Sequence, residues 1–188
     1  MSLNPTAYVI LGMLRHDPRS GYEIKSMVDR STRFFWAASY GQIYPELRRL
    51  AKAGLVEAEQ QPTGRRKRTL YRLTDAGRDE LRRWIAAASA RLEVRDEGLL
   101  KLFFAGVGDR DDALAIVDAK QRQAEAKLAA LREVEPIARA ASSSDPFPYL
   151  VLRYGLDSSE WVVDWCERAR AELAEAEPRA AKSKRRTA

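Results

Sequence analysis

Cysteine and histidine are nearly absent from this chain of 188 residues, which contains one of each, Cys166 and His16. A single cysteine excludes a disulfide within the chain and any metal site built from several thiolates. With one histidine, a zinc site of the usual ligand types would need carboxylates almost alone. We therefore expect no metal and no other cofactor, and a reducing, cytoplasmic setting fits the low cysteine content.

Long hydrophobic runs are also missing. No apolar run approaches the roughly 18 residues that indicate a membrane-spanning helix. The start of the chain, Met1-Ser-Leu-Asn-Pro, lacks a basic region followed by an apolar one, so no secretory signal is expected. Because 45% of the residues are hydrophobic and 32% are charged, the chain can bury a core and is expected to work in water, without a membrane partner.

The patterns that mark enzyme active sites are absent as well. The sequence contains no glycine-rich phosphate loop. Acidic pairs such as Asp111-Asp112 stand at a predicted helix start, where carboxylates favour the helix dipole. Since no constellation of a nucleophile, a base and an orienting group can be assembled, we expect that the protein is not an enzyme.

Charge is distributed unevenly and divides the chain into three predicted regions. Residues 1–88 contain 16 Lys/Arg and 9 Asp/Glu, a net charge of +7, whereas residues 89–177 contain 12 and 18, a net charge of −6. Residues 178–188 contain five basic and no acidic residues and are predicted to be a disordered basic tail. The alternative is that an arginine-rich sequence is simply charged everywhere. It does not explain why the net charge changes from positive to negative where the helix-and-hairpin motif, described next, ends. The asymmetry predicts a nucleic-acid-binding domain followed by a domain with another task.

One helix and one hairpin carry the most informative pattern. Gly41-Gln-Ile-Tyr-Pro-Glu-Leu-Arg-Arg-Leu predicts a helix that begins near Gly41, because proline is tolerated only in the first turn, and Gly54 predicts its left-handed end. Strands Leu55–Gln61 and Lys67–Leu73 are predicted to pair around a turn-rich tip. A helix followed by a basic hairpin is typical of a winged helix-turn-helix, in which the helix lies in the major groove and the hairpin reaches the flanking backbone.

Three further helices complete the predicted first domain. Asn4-Pro5 predicts one helix start, and Ser20 with Glu23 predicts a second that has a capping box. The aromatic connector at residues 34–38 is expected to pack under the next helix, whose inward stripe is Ile43, Leu47 and Leu50. Thr74-Asp-Ala-Gly is predicted to start a fourth helix, which runs from Arg78 to about Ala88 with Leu81, Trp84 and Ile85 on one face.

The second domain is predicted to consist of three helices, at about 95–106, 110–139 and 157–175. The long middle helix carries apolar residues on a 3-4 repeat, which is typical of a coiled-coil seam that needs a partner. The predicted dimerisation residues are the apolar positions of this seam and of the last helix: Leu114, Val117, Leu128, Leu131, Val162, Trp165 and Leu173. The expected fold is therefore mainly α, with a small β-hairpin wing and a C-terminal helical dimerisation domain.

Five motifs in order along the first domain resemble the PadR family of transcriptional regulators. The motifs are Tyr8-Val-Ile-Leu-Gly-Met-Leu, Ser20-Gly-Tyr-Glu-Ile, Gly41-Gln-Ile-Tyr-Pro-Glu-Leu-Arg-Arg-Leu, Ala53-Gly-Leu-Val and Tyr71-Arg-Leu-Thr-Asp-Ala-Gly. Leu99-Leu-Lys-Leu-Phe-Phe and the segment from Leu152 to Trp165 are similar to the C-terminal helical domain of the larger family members. The resemblance implies a homodimer that binds a palindromic operator, and a repressor released by a small, often aromatic, molecule. Gln42-Ile43 departs from the family pattern, which implies that a different operator is read.

Candidate DNA-binding residues lie on the second and third helices and on the wing. They are Tyr22, Lys25, Ser39, Tyr40, Gln42, Tyr44, Arg48, Arg49, Arg65, Arg66, Lys67 and Arg68. The wing cations alternate sides along a strand and suit phosphates, whereas side chains at the start of the third helix can reach base edges, where glutamine pairs with adenine. For each lone cation the competing interpretation is a solvated charge, and for Tyr44 it is packing under the helix.

A small-molecule site is a weaker hypothesis, based on the aromatic residues of the second domain and of the fourth helix. The candidates are Trp84, Phe103, Tyr154, Trp161 and Trp165. Trp161 and Trp165 are one helical turn apart and could flank one pocket, but filling the dimer core is the competing interpretation. Two other functions stay open. One is a winged helix that binds protein in a larger assembly, although such a module does not need the cations of Gly64-Arg-Arg-Lys-Arg. The other is a repressor without a ligand.

Overall fold

The computed structural model describes residues 3–63, 66–88 and 95–175, without the side chains of residues 62, 63, 66 and 67. The chain divides into two compact units, Met1–Arg91 and Leu92–Ala188, here called the winged unit and the hairpin unit. The predicted domain limits at residues 88 and 177 stay predictions. The predicted basic tail, 178–188, lies outside the described residues.

Polar caps begin the helices of the winged unit. The helices are α1 (Pro5–Met13), α2 (Gly21–Arg30), α3 (Tyr40–Lys52) and α4 (Asp75–Ala86). The Asn4 side chain accepts a hydrogen bond from the Ala7 amide at 2.9 Å, and Ser20 forms the predicted capping box with Glu23. Thr74 caps α4, as the predicted helix start at Thr74-Asp-Ala-Gly requires, and the first helical residue is Asp75.

The wing is a three-stranded antiparallel sheet in the order β1-β3-β2, formed by β1 (Arg19–Ser20), β2 (Val56–Thr63) and β3 (Arg66–Leu73). Leu70 of β3 lies opposite Ser20 on one side and Glu59 on the other. The predicted hairpin is confirmed. Strand β1 was not predicted, because two residues are too few to show an alternating pattern.

Aliphatic side chains from α1, α2 and α3 form the core of the winged unit. Fully buried members are Ala7, Ile10, Leu11, Ile24, Val28, Ile43, Leu47 and Leu50. The predicted inward stripe of α3 is therefore confirmed. Gly54 has a φ of 70° and ends α3 in the left-handed conformation, as predicted.

Helix α3 begins at Tyr40, one residue from its predicted start near Gly41. The argument that proline must lie in the first turn is wrong, because Pro45 stands inside the helix and cannot donate to the carbonyl of Gly41. The connector at residues 34–38 packs only in part as expected. Ala38 is buried in the core, whereas Phe35 and Trp36 are exposed, because α1 and α2 already pack against α3.

Two long helices dominate the hairpin unit, which contains α5 (Glu97–Phe103), α6 (Arg110–Ala141) and α7 (Pro146–Glu175). Helices α6 and α7 run antiparallel, since Arg170 pairs with Asp118 and Arg132 pairs with Glu160. The predicted start of the last helix at residue 157 is wrong by eleven residues. Both prolines of the supposed loop fall in the first turn of α7, where proline is tolerated, and Asp157 lies inside the helix.

The apolar seam of α6 packs against α7 of the same chain. Buried residues of the two helices are Val117, Ala124, Leu128, Leu131, Leu152, Leu156, Ser159 and Cys166. Gln121, the polar break in the repeat, accepts a hydrogen bond from Arg170 at 2.6 Å. The partner that the seam requires is thus an intrachain helix.

Candidate nucleic-acid interface

Aromatic and basic side chains meet where α2 approaches the start of α3. The rings of Tyr40 and Tyr44 stack with centroids 6.1 Å apart and planes 19° from parallel. The Lys25 ammonium lies 5.3 Å from the Tyr40 ring centroid and also forms an ion pair with Asp29. Three of the predicted residues (Lys25, Tyr40 and Tyr44) therefore form one group, here called the α2–α3 cluster.

Tyr44 occupies a place that only a glycine on α2 leaves open. A Cβ atom built on Gly21 would lie 2.6 Å from the Tyr44 ring, so any larger residue at position 21 would displace the ring. The side chain of Tyr44 nevertheless remains 39% exposed. Tyr44 packs α3 against α2 and also presents a surface to solvent. Packing under the helix and contact with DNA, the two interpretations of this residue, are therefore compatible.

Gln42 caps the helix on which it was predicted to read DNA. Its side-chain oxygen accepts hydrogen bonds from the Ser39 amide at 2.9 Å and from the Ser39 hydroxyl at 3.2 Å. A bidentate contact to adenine needs both the oxygen and the amide NH₂ of glutamine. In this conformation only the NH₂ group is available for a base edge.

The two arginines of α3 differ in their surroundings. The Arg49 guanidinium bonds to Glu46 at 2.6 Å, and this contact raises the pKa of Arg49. Glu46 is buried and also accepts a hydrogen bond from Asn4, the cap of α1, at 2.9 Å. Arg48 is exposed. Burial raises the pKa of the Tyr71 phenol, and the positive charge of the nearby Arg48 partly offsets this rise. Of the two, Arg48 is better placed to meet a phosphate.

Arg68 of the wing pairs with a carboxylate on α2. Its guanidinium lies 2.5 Å from Glu23, whose pKa falls to about 2, first because of the hydrogen bond from Arg68 and second because of that from the Ser20 amide. Arg65 lies outside the described residues, and so do the side chains of Arg66 and Lys67. Their roles stay predictions.

These contacts join the predicted elements into one region of the winged unit. The first turn of α2 touches the start of α3 through Gly21 and Tyr44, and it touches β3 through Glu23 and Arg68. Tyr22 lies between these two contacts in sequence and is exposed. A surface that carries the start of α3 and one strand of the wing can lie along a duplex, with α3 toward the major groove.

The predicted small-molecule residues belong to both units, and their role stays a prediction. Trp84 belongs to the winged unit and stacks on Tyr8 with ring centroids 4.5 Å apart. Phe103, Tyr154 and Trp161 are exposed, whereas Trp165 lines an open groove of about 450 Å³ in the hairpin unit. The other residues of this groove are Leu102, Ala169, Glu172 and Leu173.

The predicted dimerisation residues fall into two groups. Val117, Leu128 and Leu131 are buried inside the hairpin of a single chain. The remaining four, which are partly exposed, are Leu114, Val162, Trp165 and Leu173. Fully exposed apolar residues are also frequent in this unit, since Phe103 is 82% and Val107 93% exposed. Exposed apolar surface of this kind marks interaction sites.

Sequence reasoning missed two residues that position side chains of this surface: Glu23 as a partner of the wing and Glu46 as the buried partner of Arg49. Only Glu23 had a local signal, its capping-box spacing. Among the described residues, no group of three or more His, Cys, Asp or Glu could hold a metal ion. No helix within the described ranges combines the length and the apolar character needed to cross a membrane.

Two family models together span most of the chain. Residues 10–83 match the transcriptional regulator PadR-like family, and residues 94–174 match the C-terminal domain of the virulence activator alpha family. The negative transcriptional regulator PadR of Bacillus subtilis is 34% identical over 170 residues, which cover 85% of this chain and 92% of the relative.

Solved structures of that relative resemble the whole chain. The crystal structure of Bacillus subtilis PadR in complex with operator DNA has a TM-score of 0.83 and 32% identity, and the similarity covers 92% of this chain and 99% of the other. The structure of the same protein with p-coumaric acid has a TM-score of 0.76 and 31% identity, with 93% and 100% covered. The expected combination of a winged helix with long C-terminal helices is thereby confirmed.

Proposed function

Because this chain belongs to the PadR-like family of transcriptional regulators, we propose that it binds a palindromic operator as a homodimer and acts as a repressor. The family is one of regulators and not of enzymes, which confirms the expectation that the protein is not an enzyme. The proposed sign of regulation follows the Bacillus relative, which is named a negative regulator. The proposal includes a cytoplasmic setting, where such an operator would lie.

The observation that carries the proposal is the contact of the first turn of α2 with both α3 and the wing. Tyr44 packs on Gly21, and Arg68 pairs with Glu23. As a result, the start of α3 and strand β3 approach one duplex together. Operator DNA is bound by a relative with 32% identity and the same architecture.

Each part of this surface has a different proposed role. Arg48 contacts a phosphate, while Tyr40, Tyr44 and the Gln42 amide contact base edges or the sugar near the start of α3. The cations at the wing tip, Arg65 to Lys67, contact the flanking backbone. Lys25 and Arg49 are engaged within their own helices, since Lys25 pairs with Asp29 of α2 and Arg49 pairs with Glu46 of α3. Ser39 caps α3, and the exposed Tyr22 contacts the DNA backbone from α2.

The hairpin unit is the proposed site of dimerisation and of release by a ligand. Its exposed apolar residues provide a surface that a second copy can bury. The Trp165 groove, which offers an indole beside three aliphatic side chains, suits a flat aromatic molecule. The Bacillus relative is bound to p-coumaric acid in one structure. Glu172 lines this groove, so we expect a neutral or cationic ligand to bind here better than a carboxylate.

A mobility-shift or anisotropy titration tests the DNA-binding proposal. The wild-type protein is titrated with DNA from upstream of its own gene at several salt concentrations, beside Arg48→Ala and Arg132→Ala. Arg48→Ala should reduce the slope of log affinity against log salt by about 0.9, the value for one lost phosphate contact. Arg132→Ala removes an equal charge from α6 and should leave the slope unchanged. Identical slopes for all three proteins would remove the phosphate contact of Arg48 from the proposed interface.

A further inference from the structure

One ion pair joins the first turn of α2 to the wing strand β3, and we propose that it fixes the angle of the wing for DNA reading and makes no DNA contact itself. Arg68 and Glu23, 2.5 Å apart, are then positioning residues. This assignment replaces the phosphate contact expected for Arg68 from the sequence. It rests on the proposed function, because it presupposes that the wing tip contacts DNA.

Glu23 is held rigidly enough to serve as an anchor. One of its carboxylate oxygens accepts hydrogen bonds from the Ser20 amide at 2.8 Å and from the Ser20 hydroxyl at 2.9 Å. Helix α2 itself is fixed in the core by Ile24 and Val28, both fully buried. Hydrogen bonds between ionised groups are shorter and stronger than neutral ones, so Arg68 is tied to an element that cannot move independently.

The wing needs such an anchor because its connection to the helices is short. Strand β1 pairs with β3 only at Leu70 and Tyr71, and β3 continues outward from there to Arg66. Four residues of strand span ~14 Å, so a tilt of roughly 10° at Leu70 would move the tip by about 2 Å. A displacement of that size breaks a hydrogen bond. Over this length β3 pairs with β2 but not with β1, and Arg68 lies halfway along it, where a contact with α2 restrains the tilt of the hairpin.

The variant Glu23→Gln distinguishes a positioning role of Arg68 from a direct DNA contact, because the two roles predict opposite changes in DNA affinity. Glutamine at this position preserves the capping box, so α2 keeps its start. If Arg68 bound a phosphate, Glu23 would compete with DNA for it, and removing the carboxylate charge would strengthen binding. If the ion pair sets the wing angle, the same substitution weakens binding although it makes the surface more positive.

The test compares operator affinity across salt concentrations for the wild type, Glu23→Gln, Arg68→Ala, the double variant and Glu59→Gln. Each single variant of the pair should lose about tenfold in affinity, comparable to one charge-assisted hydrogen bond at the tip. The double variant should bind no more weakly than the weaker single one, because both break the same contact. The salt slopes should match that of the wild type. Glu59→Gln removes an equal charge from β2 and should not weaken binding.

Equal or tighter binding by Glu23→Gln would overturn the proposal, as would a salt slope reduced by about 0.9 in Arg68→Ala. If Arg68→Ala unfolds, Arg68→Lys replaces it, since lysine keeps the charge and loses the planar fork. It should bind more weakly with an unchanged slope.

A measurement without DNA distinguishes failure of this inference from failure of the proposed function. Hydrogen exchange of the β2 and β3 amides should be faster in Glu23→Gln than in the wild type or Glu59→Gln. Unchanged exchange overturns the inference even when the wild type binds its operator. Conversely, a wild type that binds no operator refutes the proposed function, whatever the exchange shows.

Discussion

The two units bury their apolar residues to very different extents. In the winged unit, three helices surround Ile10, Ile24 and Leu47, each fully buried, and the exposed aromatic residues include those next to α3. In the hairpin unit, α6 and α7 bury one stripe against each other and leave large apolar side chains such as Phe103 and Trp161 in contact with solvent. Two helices can cover only one face of each other, so this unit retains apolar surface that a further partner can bury.

The largest effect is expected where that surface is made polar. Phe103→Asp combined with Trp161→Asp should yield a monomer in sedimentation analysis. Affinity for a palindromic operator should then fall by about a hundredfold or more, because two linked half-site contacts become independent.

The matched control for this pair is Phe35→Asp combined with Trp36→Asp, which places the same charge on two exposed aromatic positions of the winged unit. It should leave the oligomeric state unchanged. A dimeric double variant would mean that Phe103 and Trp161 lie outside the dimer interface. The exposed apolar surface of the hairpin unit would then not explain dimerisation.

Two glycines of the winged unit test how tightly it is packed. A Cβ atom on Gly77 would lie 2.0 Å from the Leu55 carbonyl oxygen, whereas one on Gly12 meets nothing within 4 Å. Gly77→Ala should lower the free energy of unfolding by about 2 kcal/mol or more through overpacking. Gly12→Ala, in the interior of α1, should raise it by up to ~1 kcal/mol. Denaturant titration measures both, and equal effects would contradict the close contact at Gly77.

Gln42 allows helix capping to be separated from base reading. Gln42→Glu keeps the carbonyl-type acceptor for Ser39 but removes the NH₂ group, whereas Gln42→Ala removes both. Both variants should lose about 1 kcal/mol of preference at one operator position, the value of a single hydrogen bond from the NH₂ group. Only Gln42→Ala should also lower thermal stability. A Gln42→Glu protein with unaltered operator preference would assign Gln42 to the cap alone.

The smallest expected effect concerns the pH dependence of the winged unit. The folded-state pKa of Glu23 is about 2, below its ordinary value of 4.5, so its contribution to stability is present above pH 4.5 and is lost as the pH falls toward 2. Because the Glu23 side chain is 39% exposed, solvent screening limits this contribution to about 1 kcal/mol. The difference in unfolding free energy between the wild type and Glu23→Gln should therefore shrink between pH 5 and pH 2.5. A constant difference would mean that the carboxylate charge contributes nothing.

Local signals determined which parts of the fold could be predicted. The capping box at Ser20, the stripe through Leu47 and the end at Gly54 depend on neighbours within a few residues, and all three were predicted correctly. The start of α7 was not, because Asp157 follows Gly155 and imitates a helix cap. Gly155 instead allows close packing, since a Cβ atom there would lie 3.0 Å from Leu131.

Contacts between distant residues explain what the sequence pattern missed in the candidate site. Arg68 was predicted as a phosphate ligand because four cations follow one another, yet its partner Glu23 is 45 positions away in the sequence. Likewise, nothing near Arg49 indicated that Glu46 would be buried and bonded to Asn4. A pattern identifies which side chains are charged, but their partners depend on how the elements pack.

The fully buried thiol of Cys166 gives the hairpin unit a built-in reporter. Since it is the only cysteine of the chain, a thiol-reactive dye can modify the protein only when α6 and α7 separate. The labelling rate in native buffer therefore measures how often this helix pair opens, without any signal from the winged unit. Adding candidate ligands during labelling would rank them by how far they slow that opening.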